Sequence, residues 1–178
     1  MVIKEVWSWI KSLVLAVILA LLLREYVLGF YVVDGSSMQP TLENGELVAI
    51  NKLVYRLNEP RHGDVVVFAP EGPPFGFSDK RVFIKRIIAL PGDFLEIQEG
   101  ALLLNGQPLV ETYVDEKMQG NFGPLLIQEG FFFVMGDNRS PRGSWDSREF
   151  GPVPLDTLLG RADLVVFPIP GKVNAGRQ

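Results

Sequence analysis

Apolar residues run without a break through residues 13–23, whereas polar residues, glycines and prolines interrupt the apolar pattern in the later part of the chain. Lys4 and Lys11 precede this apolar run, and Trp and Tyr residues flank it. A helix needs about 20 apolar residues to cross a bilayer, a length that the run reaches only with the apolar residues beside it. The pattern predicts one N-terminal membrane helix within residues 1–30 and a separate domain in residues 31–178.

Two other interpretations of the apolar segment are open. A cleaved secretory signal also has a basic start, but it ends in a small-x-small site, and residues 21–35 contain none. A soluble helix that is apolar on all faces needs a larger protein around it. An uncleaved anchor is therefore favoured. Lys4 and Lys11 place its N-terminus on the cytoplasmic side, although Arg24 on the other side weakens that bias.

After the membrane segment, short runs of β-branched and aromatic residues alternate with turns rich in Gly, Pro, Asn and Asp. Such runs predict strands, and their spacing favours an antiparallel sheet or barrel-like fold, a mainly β domain, over βαβ units. The candidate strands begin at Glu46, Gly63, Arg81, Asp93, Phe131 and Ala162. Asn105 and Gly106 predict a two-residue hairpin turn, and residues 69–79 and 111–124 predict loops.

Composition removes several classes of function. The chain has 178 residues, a net charge of −4 and no run of Lys or Arg, which gives no reason to expect a nucleic-acid partner. It has no cysteine, so disulfides and thiolate metal sites are excluded. The single histidine, His62, lies in a loop where such a residue is usually solvated. A metal site built on cysteine or histidine is therefore not expected, and the serine chemistry considered below needs neither a metal nor an organic cofactor.

Two adjacent serines in the stretch GSSMQPTL raise the question of a nucleophile. A serine hydroxyl needs a neighbouring base, and a chain with one loop histidine offers lysine instead. A lysine base needs apolar surroundings that lower its pKa by about three units. In the strand VFIKRIIAL, alternation places Lys85 between Phe83 and Ile87 on one face, which provides those surroundings. The competing interpretation is an edge-strand lysine that reaches water.

Four segments in this order resemble the bacterial type I signal peptidases, membrane-bound serine proteases that remove signal peptides from exported proteins. The segments are GSSMQPTL, GDVVVF, KRIIALPGD and GDNRSPRGSWDSREFGPV. The resemblance implies that Ser37 is the nucleophile, that Lys85 is the general base, and that the Ser37 N–H donates to the oxyanion. One branch of the family adds a Ser hydroxyl two positions before the nucleophile. This chain has Gly35 there, so the oxyanion hole is expected to be the simpler type, and Ser36 is expected to be structural.

The C-terminal segment carries supporting residues by the same resemblance. Ser144 matches the serine that orients the lysine, although the spacing is two residues longer than usual and leaves Ser147 as the competing assignment. Asp146 and Arg148 match a structural ion pair beneath the site, and Asp137 matches a residue that shapes its turn.

The resemblance also implies the substrate. Family members bind preprotein signal peptides in an extended form and cleave after a small-x-small sequence such as Ala-x-Ala. The residues expected to line the substrate pockets are Tyr31, Val33, Asp34, Val82 and Ile84. The lipid bilayer is the other expected partner. The resemblance implies a single-pass protein of the cytoplasmic membrane, with its catalytic domain on the outer side.

Two alternative functions are weighed against this one. A self-cleaving repressor of the LexA type shares the fold and the Ser/Lys pair, but it begins with a soluble DNA-binding domain rather than an apolar segment. A membrane-tethered β-domain without catalysis would make GSSMQPTL an ordinary turn. The four ordered segments favour the protease.

Overall fold

The computed structural model describes residues 2–71, 81–168 and 171–172. It begins with a single long helix, α1 (Val2–Tyr26). The most apolar 18 residues within Lys4–Tyr26 have a mean hydropathy of 2.3, and none of them is buried. In length and composition this helix can cross a membrane. Two short helices follow, α2 (Val54–Leu57) and α3 (Ser147–Phe150).

The rest of the described chain is mainly β, which confirms the predicted fold class. The strands are β1 (Leu28–Val32), β2 (Leu47–Asn51), β3 (Val65–Phe68), β4 (Phe83–Ala89), β5 (Phe94–Gln98), β6 (Ala101–Leu104), β7 (Gln107–Pro108), β8 (Phe122–Leu126), β9 (Phe131–Met135), β10 (Val153–Pro154), β11 (Leu158–Phe167) and β12 (Gly171–Lys172). All their pairings are antiparallel.

The described strands form a large curled sheet and a smaller one. The large sheet has the order β1-β2-β11-β3-β4-β9-β10, with β12 beside β11, and the small sheet has the order β7-β6-β5-β8. The long strand β11 pairs with β3 through its first half and with β2 through its second, with a register shift in each pairing. Such irregularities bend a strand, and the large sheet curls as a half-barrel.

Both faces of the large sheet are buried around β3. Val65 and Val67 pack into one apolar cluster with the segment after β1, and Val66 and Phe68 pack into another with β9 and α3. A strand buried on both faces is a continuous apolar run rather than an alternating one, as VVVF is. A third cluster joins β4 and β9 to the small sheet.

The structure contains the six predicted strands and the hairpin turn, at which Asn105 and Gly106 both have positive φ. It differs from prediction at β1 and β8. Strand β1 was missed because its apolar residues continue the membrane segment without a break. Strand β8 takes up the end of the predicted loop 111–124, and most of the predicted loop 69–79 lies outside the described residues.

His62 is not simply solvated as the sequence suggested. Its Nε2 lies 2.6 Å from Asp93 Oδ2, and that carboxylate also accepts hydrogen bonds from the Leu90 N–H and from Asn105. These hydrogen bonds and the His62 charge outweigh the burial that by itself raises the Asp93 pKa, so the pKa is lowered. His62 therefore ties the loop before β3 to the turn before β5.

Candidate active site

Lys85 and Ser37 meet in the folded chain although 48 positions separate them. Lys85 Nζ lies 2.6 Å from Ser37 Oγ, and it also donates to the Ile84 carbonyl at 3.0 Å. A neutral amine at this position can use its lone pair to accept the Ser37 proton while an N–H still donates to Ile84. The geometry is that of a nucleophile beside a base.

The surroundings of Lys85 favour its neutral form. Its strand partner on β3 is Val66, and only 4% of the residue is exposed. Burial lowers the pKa of Lys85 to about 8, against the opposing charges of Asp146 and Asp137. The lysine is thus close to the range in which a base works at neutral pH, and the two carboxylates explain why the pKa is not lower.

The loop that carries Ser37 is held on both sides. Met38 and Leu42 are buried in the apolar cluster below it. On the other side, the Asn138 N–H donates to the Ser37 carbonyl at 3.1 Å. Gly35 has φ +92°, a conformation that strains any residue with a Cβ, and its N–H donates to Asn44 Oδ1 at 2.7 Å. The Ser37 N–H has no acceptor within the described part of the chain, so it can donate to an oxyanion.

The two candidate serines of the C-terminal segment have different surroundings. Ser144 Oγ is buried and has no hydrogen-bond partner of normal geometry among the described residues. A Cβ on Gly136 would lie 2.3 Å from Ser144 Oγ and 2.3 Å from the Ser37 carbonyl oxygen, so Ser144 lies near the nucleophile loop. Ser147 Oγ instead accepts the Val134 N–H at 3.0 Å and stabilises β9.

Asp146 and Arg148 form a two-pronged ion pair below the site. Arg148 Nε and Nη2 each lie 2.8 Å from an Asp146 oxygen, and the Gly136 N–H donates to the same carboxylate. Burial by itself raises the Asp146 pKa, but the hydrogen bonds and charge of Arg148 outweigh burial, and the pKa is lowered. Asp146 also caps α3 through the Arg148 N–H.

A second buried ion pair was not predicted as part of the site. Asp137 accepts hydrogen bonds from Arg86 Nε at 2.8 Å and Arg86 Nη2 at 2.6 Å, and Thr41 donates to the same carboxylate. Arg86 follows the lysine on β4 and Thr41 lies in the nucleophile loop. The pair therefore joins the segments of Ser37, Lys85 and the C-terminal turn. An arginine in an apolar strand indicates that an acidic side chain pairs with it, but the sequence does not identify which one.

The loop between β7 and β8 adds a further charged cluster. Glu111 binds both terminal nitrogens of Arg139, which is only 2% exposed, and accepts the Tyr113 hydroxyl at 2.8 Å. The Tyr113 ring lies 3.8 Å from the centre of the Arg86 guanidinium, a cation–π contact. The composition of this stretch predicts a loop and gives no sign of its contact with the site.

A cleft of about 120 Å³ opens beside Ser37 and Lys85. It is bounded on one side by the end of β1 and the chain that follows, and on the other by the start of β4 and the residue before it. The lining includes every residue that the sequence analysis placed in the substrate pockets: Tyr31, Val33, Asp34, Val82 and Ile84. Larger clefts lie elsewhere on the described surface, but none of these four is lined by both a serine and a lysine.

The arrangement can perform acyl transfer with protein groups. It supplies a nucleophile, a base in apolar surroundings, a free backbone donor and a cleft for an extended chain. Within the described ranges, no group of three or more His, Asp or Glu residues is placed to hold a metal.

Comparison with known proteins identifies the family. Residues 6–167 match the family model "Signal peptidase, peptidase S26". A signal peptidase I of Bacillus licheniformis is 36% identical over 177 residues, which cover 93% of this chain and 90% of the relative. A probable signal peptidase I-1 of Synechocystis is 39% identical over 170 residues, 91% of this chain and 85% of the relative.

A crystal structure of a signal peptidase I from Enterococcus faecalis V583 is also similar, with 30% identity, a TM-score of 0.49, and coverage of 58% of this chain and 97% of that one. The match of the family model over most of the sequence confirms the resemblance drawn from the four segments. This chain therefore belongs to the signal peptidases of the peptidase S26 family, the serine endopeptidases that cleave signal peptides.

Proposed function

We propose that the chain cleaves preprotein signal peptides after a small-x-small sequence by means of a Ser37/Lys85 dyad. The observation that carries the proposal is the 2.6 Å contact between Lys85 Nζ and Ser37 Oγ at a buried position. A buried lysine that binds no carboxylate directly is unusual unless its neutral form is used.

The reaction proceeds in two steps. Ser37 Oγ attacks the scissile carbonyl while neutral Lys85 takes its proton, and the Ser37 N–H stabilises the oxyanion. Collapse of the tetrahedral intermediate expels the new amino terminus, which receives the proton from Lys85, and leaves an acyl-enzyme. Lys85 then removes a proton from water, which attacks the ester. Collapse of this second intermediate breaks the bond to Ser37 Oγ, which takes the proton back from Lys85, and the signal peptide leaves with its new carboxylate.

Ser144 is proposed to orient the lysine. Its hydroxyl is buried beside Asp146, makes no hydrogen bond of normal geometry within the described residues and lies near the nucleophile loop, whereas the Ser147 hydroxyl already accepts the Val134 N–H. These contacts support Ser144 over Ser147. The Asp146–Arg148 and Arg86–Asp137 pairs hold the surrounding segments in place.

The size of the cleft supports small side chains in the substrate. Its volume of about 120 Å³ lies well below the roughly 300–1,000 Å³ of pockets that bury drug-sized ligands, which favours small substrate side chains. The segment Tyr31–Asp34 and the start of β4 present backbone to an extended peptide between them.

A second feature supports contact with the lipid bilayer. Phe30 and Leu164 pair with Ala49 from opposite sides, and Val32 and Phe167 pair with Leu47 in the same way, so these side chains share one face of the sheet. All four are exposed, from 48% at Leu164 to 63% at Val32 and Phe167. Exposed apolar patches next to a membrane helix fit a membrane surface. We propose that residues 1–30 anchor the enzyme in the cytoplasmic membrane, with the first three residues of β1 (Leu28–Val32) at the membrane surface, and that residues 31–178 lie outside it.

The proposed cleavage is tested by incubating the detergent-solubilised enzyme with a preprotein and mapping the cut by mass spectrometry. We expect a single cut directly after an Ala-x-Ala sequence, and we expect replacement of either alanine by leucine to prevent it. Cleavage elsewhere, or tolerance of leucine at both positions, contradicts the proposed specificity.

The lysine base predicts a specific pH dependence. Because burial lowers the pKa of Lys85 to about 8, kcat/KM is expected to rise about tenfold per pH unit below pH 8 and to level off above it. Initial rates from pH 5 to 10 provide the measurement, and circular dichroism over the same range checks that the fold persists. A flat profile between pH 5 and 8 contradicts a lysine base.

A further inference from the structure

The membrane helix and the β-domain are joined by a very short connection. Helix α1 ends at Tyr26 and β1 begins at Leu28, so Val27 is the single residue between them. The Val27 N–H donates to the Leu23 carbonyl at 2.9 Å and completes the helix, while its carbonyl accepts the Lys52 N–H at 2.9 Å. Hydrogen bonding to the sheet therefore starts where helical hydrogen bonding stops.

The side chain of Lys52 caps the helix. Its Nζ donates to the carbonyls of Arg24 at 3.2 Å and Glu25 at 3.0 Å. The last carbonyls of a helix lack helical partners and carry partial negative charge, which an ammonium group stabilises. A second cation reinforces the contact, because the Arg56 guanidinium lies 5.7 Å from the centre of the Tyr26 ring.

A glycine keeps the path of Lys52 open. Gly29 pairs with Ile50 on β2. Ile50 lies two residues before Lys52, so the two side chains are on the same face. A Cβ at position 29 would lie 2.8 Å from Ile50 Cγ1 and 3.2 Å from Lys52 Cε. The lysine stem therefore crosses β1 at the position where β1 has no side chain.

Apolar packing does not fill this junction. A cleft of about 560 Å³ opens there, and Glu25, Lys52 and Arg56 are among the residues that line it. The membrane-spanning stretch itself has no buried residues. Within the described chain, the angle between helix and sheet therefore depends on Val27 and on the polar contacts of Lys52 and Arg56.

We infer that Lys52 is a positioning residue that fixes the catalytic cleft at a set angle to the membrane helix, with Arg56 and Gly29 in support. The inference rests on the proposed function, because it concerns a substrate whose own apolar segment lies in the same bilayer. Such a substrate reaches Ser37 only when the cleft faces it, whereas a short soluble peptide enters from any direction.

The test compares two substrates with the full-length enzyme in phosphatidylcholine vesicles. Lys52→Met keeps the length of the side chain and removes its donors. We expect it to lower kcat/KM about tenfold for a membrane-inserted preprotein and less than about twofold for a soluble Ala-x-Ala peptide. Lys52→Arg is expected to restore most of the loss, and Lys117→Met, a change of an exposed loop lysine, is expected to have no effect. Equal losses on both substrates, or no loss on either, overturn the inference.

A second measurement does not depend on activity. The chain has no cysteine, so spin labels can be placed at Leu15→Cys in the helix and Gln98→Cys in the small sheet. Double electron–electron resonance measures the distance between the two labels. We expect a narrow distance distribution in the parent chain, a broad one with Lys52→Met, and a narrow one with Lys52→Arg. An unchanged distribution in the methionine variant overturns the positioning role, even if the enzyme cleaves as proposed. An inactive parent enzyme with the expected distances contradicts only the proposed function.

Discussion

Replacement of Ser37 by alanine is expected to lower kcat/KM for preprotein cleavage about 10⁴-fold or more, since removal of a nucleophile eliminates the covalent route. Ser36→Ala provides the matched control: it removes a neighbouring hydroxyl from the same turn but leaves the backbone carbonyl that accepts from Asn138. We expect the control to keep nearly full activity. Comparable losses in both variants would mean that the turn, not the Ser37 hydroxyl, matters.

Lys85→Met is expected to cause a similar loss of activity while increasing stability. The pKa of Lys85 falls from 10.5 to about 8 in the folded chain, so folding disfavours its charged form by about 3 kcal/mol. Below pH 8 the unfolded chain and the folded chain both hold the proton, and the full cost applies. Between pH 8 and 10.5 the unfolded chain holds more protons, so the stability of the parent enzyme rises with pH.

Methionine avoids this cost. We expect Lys85→Met to be more stable by up to about 3 kcal/mol at pH 7, with the difference vanishing above pH 10.5. Urea denaturation of the detergent-solubilised proteins at pH 7 and pH 10.5 provides the measurement. A less stable methionine variant at pH 7 would show that Lys85 holds the fold together instead of serving the reaction.

Breaking the Arg86–Asp137 pair is expected to have the largest effect on stability. Both side chains are almost completely buried, and the pair is two-pronged with Thr41 as a third partner. Removal of one partner leaves the other charge buried and unpaired, so Asp137→Ala and Arg86→Met are each expected to cost about 3–5 kcal/mol of unfolding free energy. The double variant is expected to cost less than the sum of the single losses.

Asp163→Ala is the matched control for this prediction. Asp163 also pairs with an arginine, Arg161, but both side chains are about 30% exposed. Water screens such a pair, and the expected cost is about 1 kcal/mol or less. Equal costs at Asp137 and Asp163, measured by urea denaturation, would show that burial of the Arg86 pair does not determine its effect.

The sequence predicted those parts of the fold that depend only on neighbouring residues, such as strands with alternating side chains and tight turns. The alternation in VFIKRIIAL and the Asn105–Gly106 pair identified β4 and the hairpin without any knowledge of their neighbours. Strand β1 escaped because an exposed apolar strand next to a membrane helix has the same composition as the helix. Leu28, Phe30 and Val32 are exposed because they lie on the uncovered face of the sheet, and the sequence does not show which face is covered.

The proposed catalytic pair could be named from the sequence, Lys85 from its apolar strand and Ser37 from the family resemblance. The resemblance also gave the Asp146–Arg148 pair, whereas the partners of Asp137 could not be foreseen. The contacts of Asp137 with Thr41 and Arg86, 96 and 51 positions away in the chain, arise only when the sheet curls and brings β4 and the two turns together. Tyr113 is a further example, since a loop composition gives no sign of its contact with Arg86.

The single-residue connection between α1 and β1 also imposes a length on the substrate. Strand β1 leads from the end of the membrane helix to the cleft over five residues, a rise of about 16 Å at ~3.3 Å per residue. A signal peptide whose apolar segment ends at the same bilayer surface must cover a similar distance in extended form. On the proposed function, about five extended residues therefore separate that segment from the cleaved bond. The anchor would then select cleavage sites by their distance along the chain from the apolar segment, in addition to their small side chains.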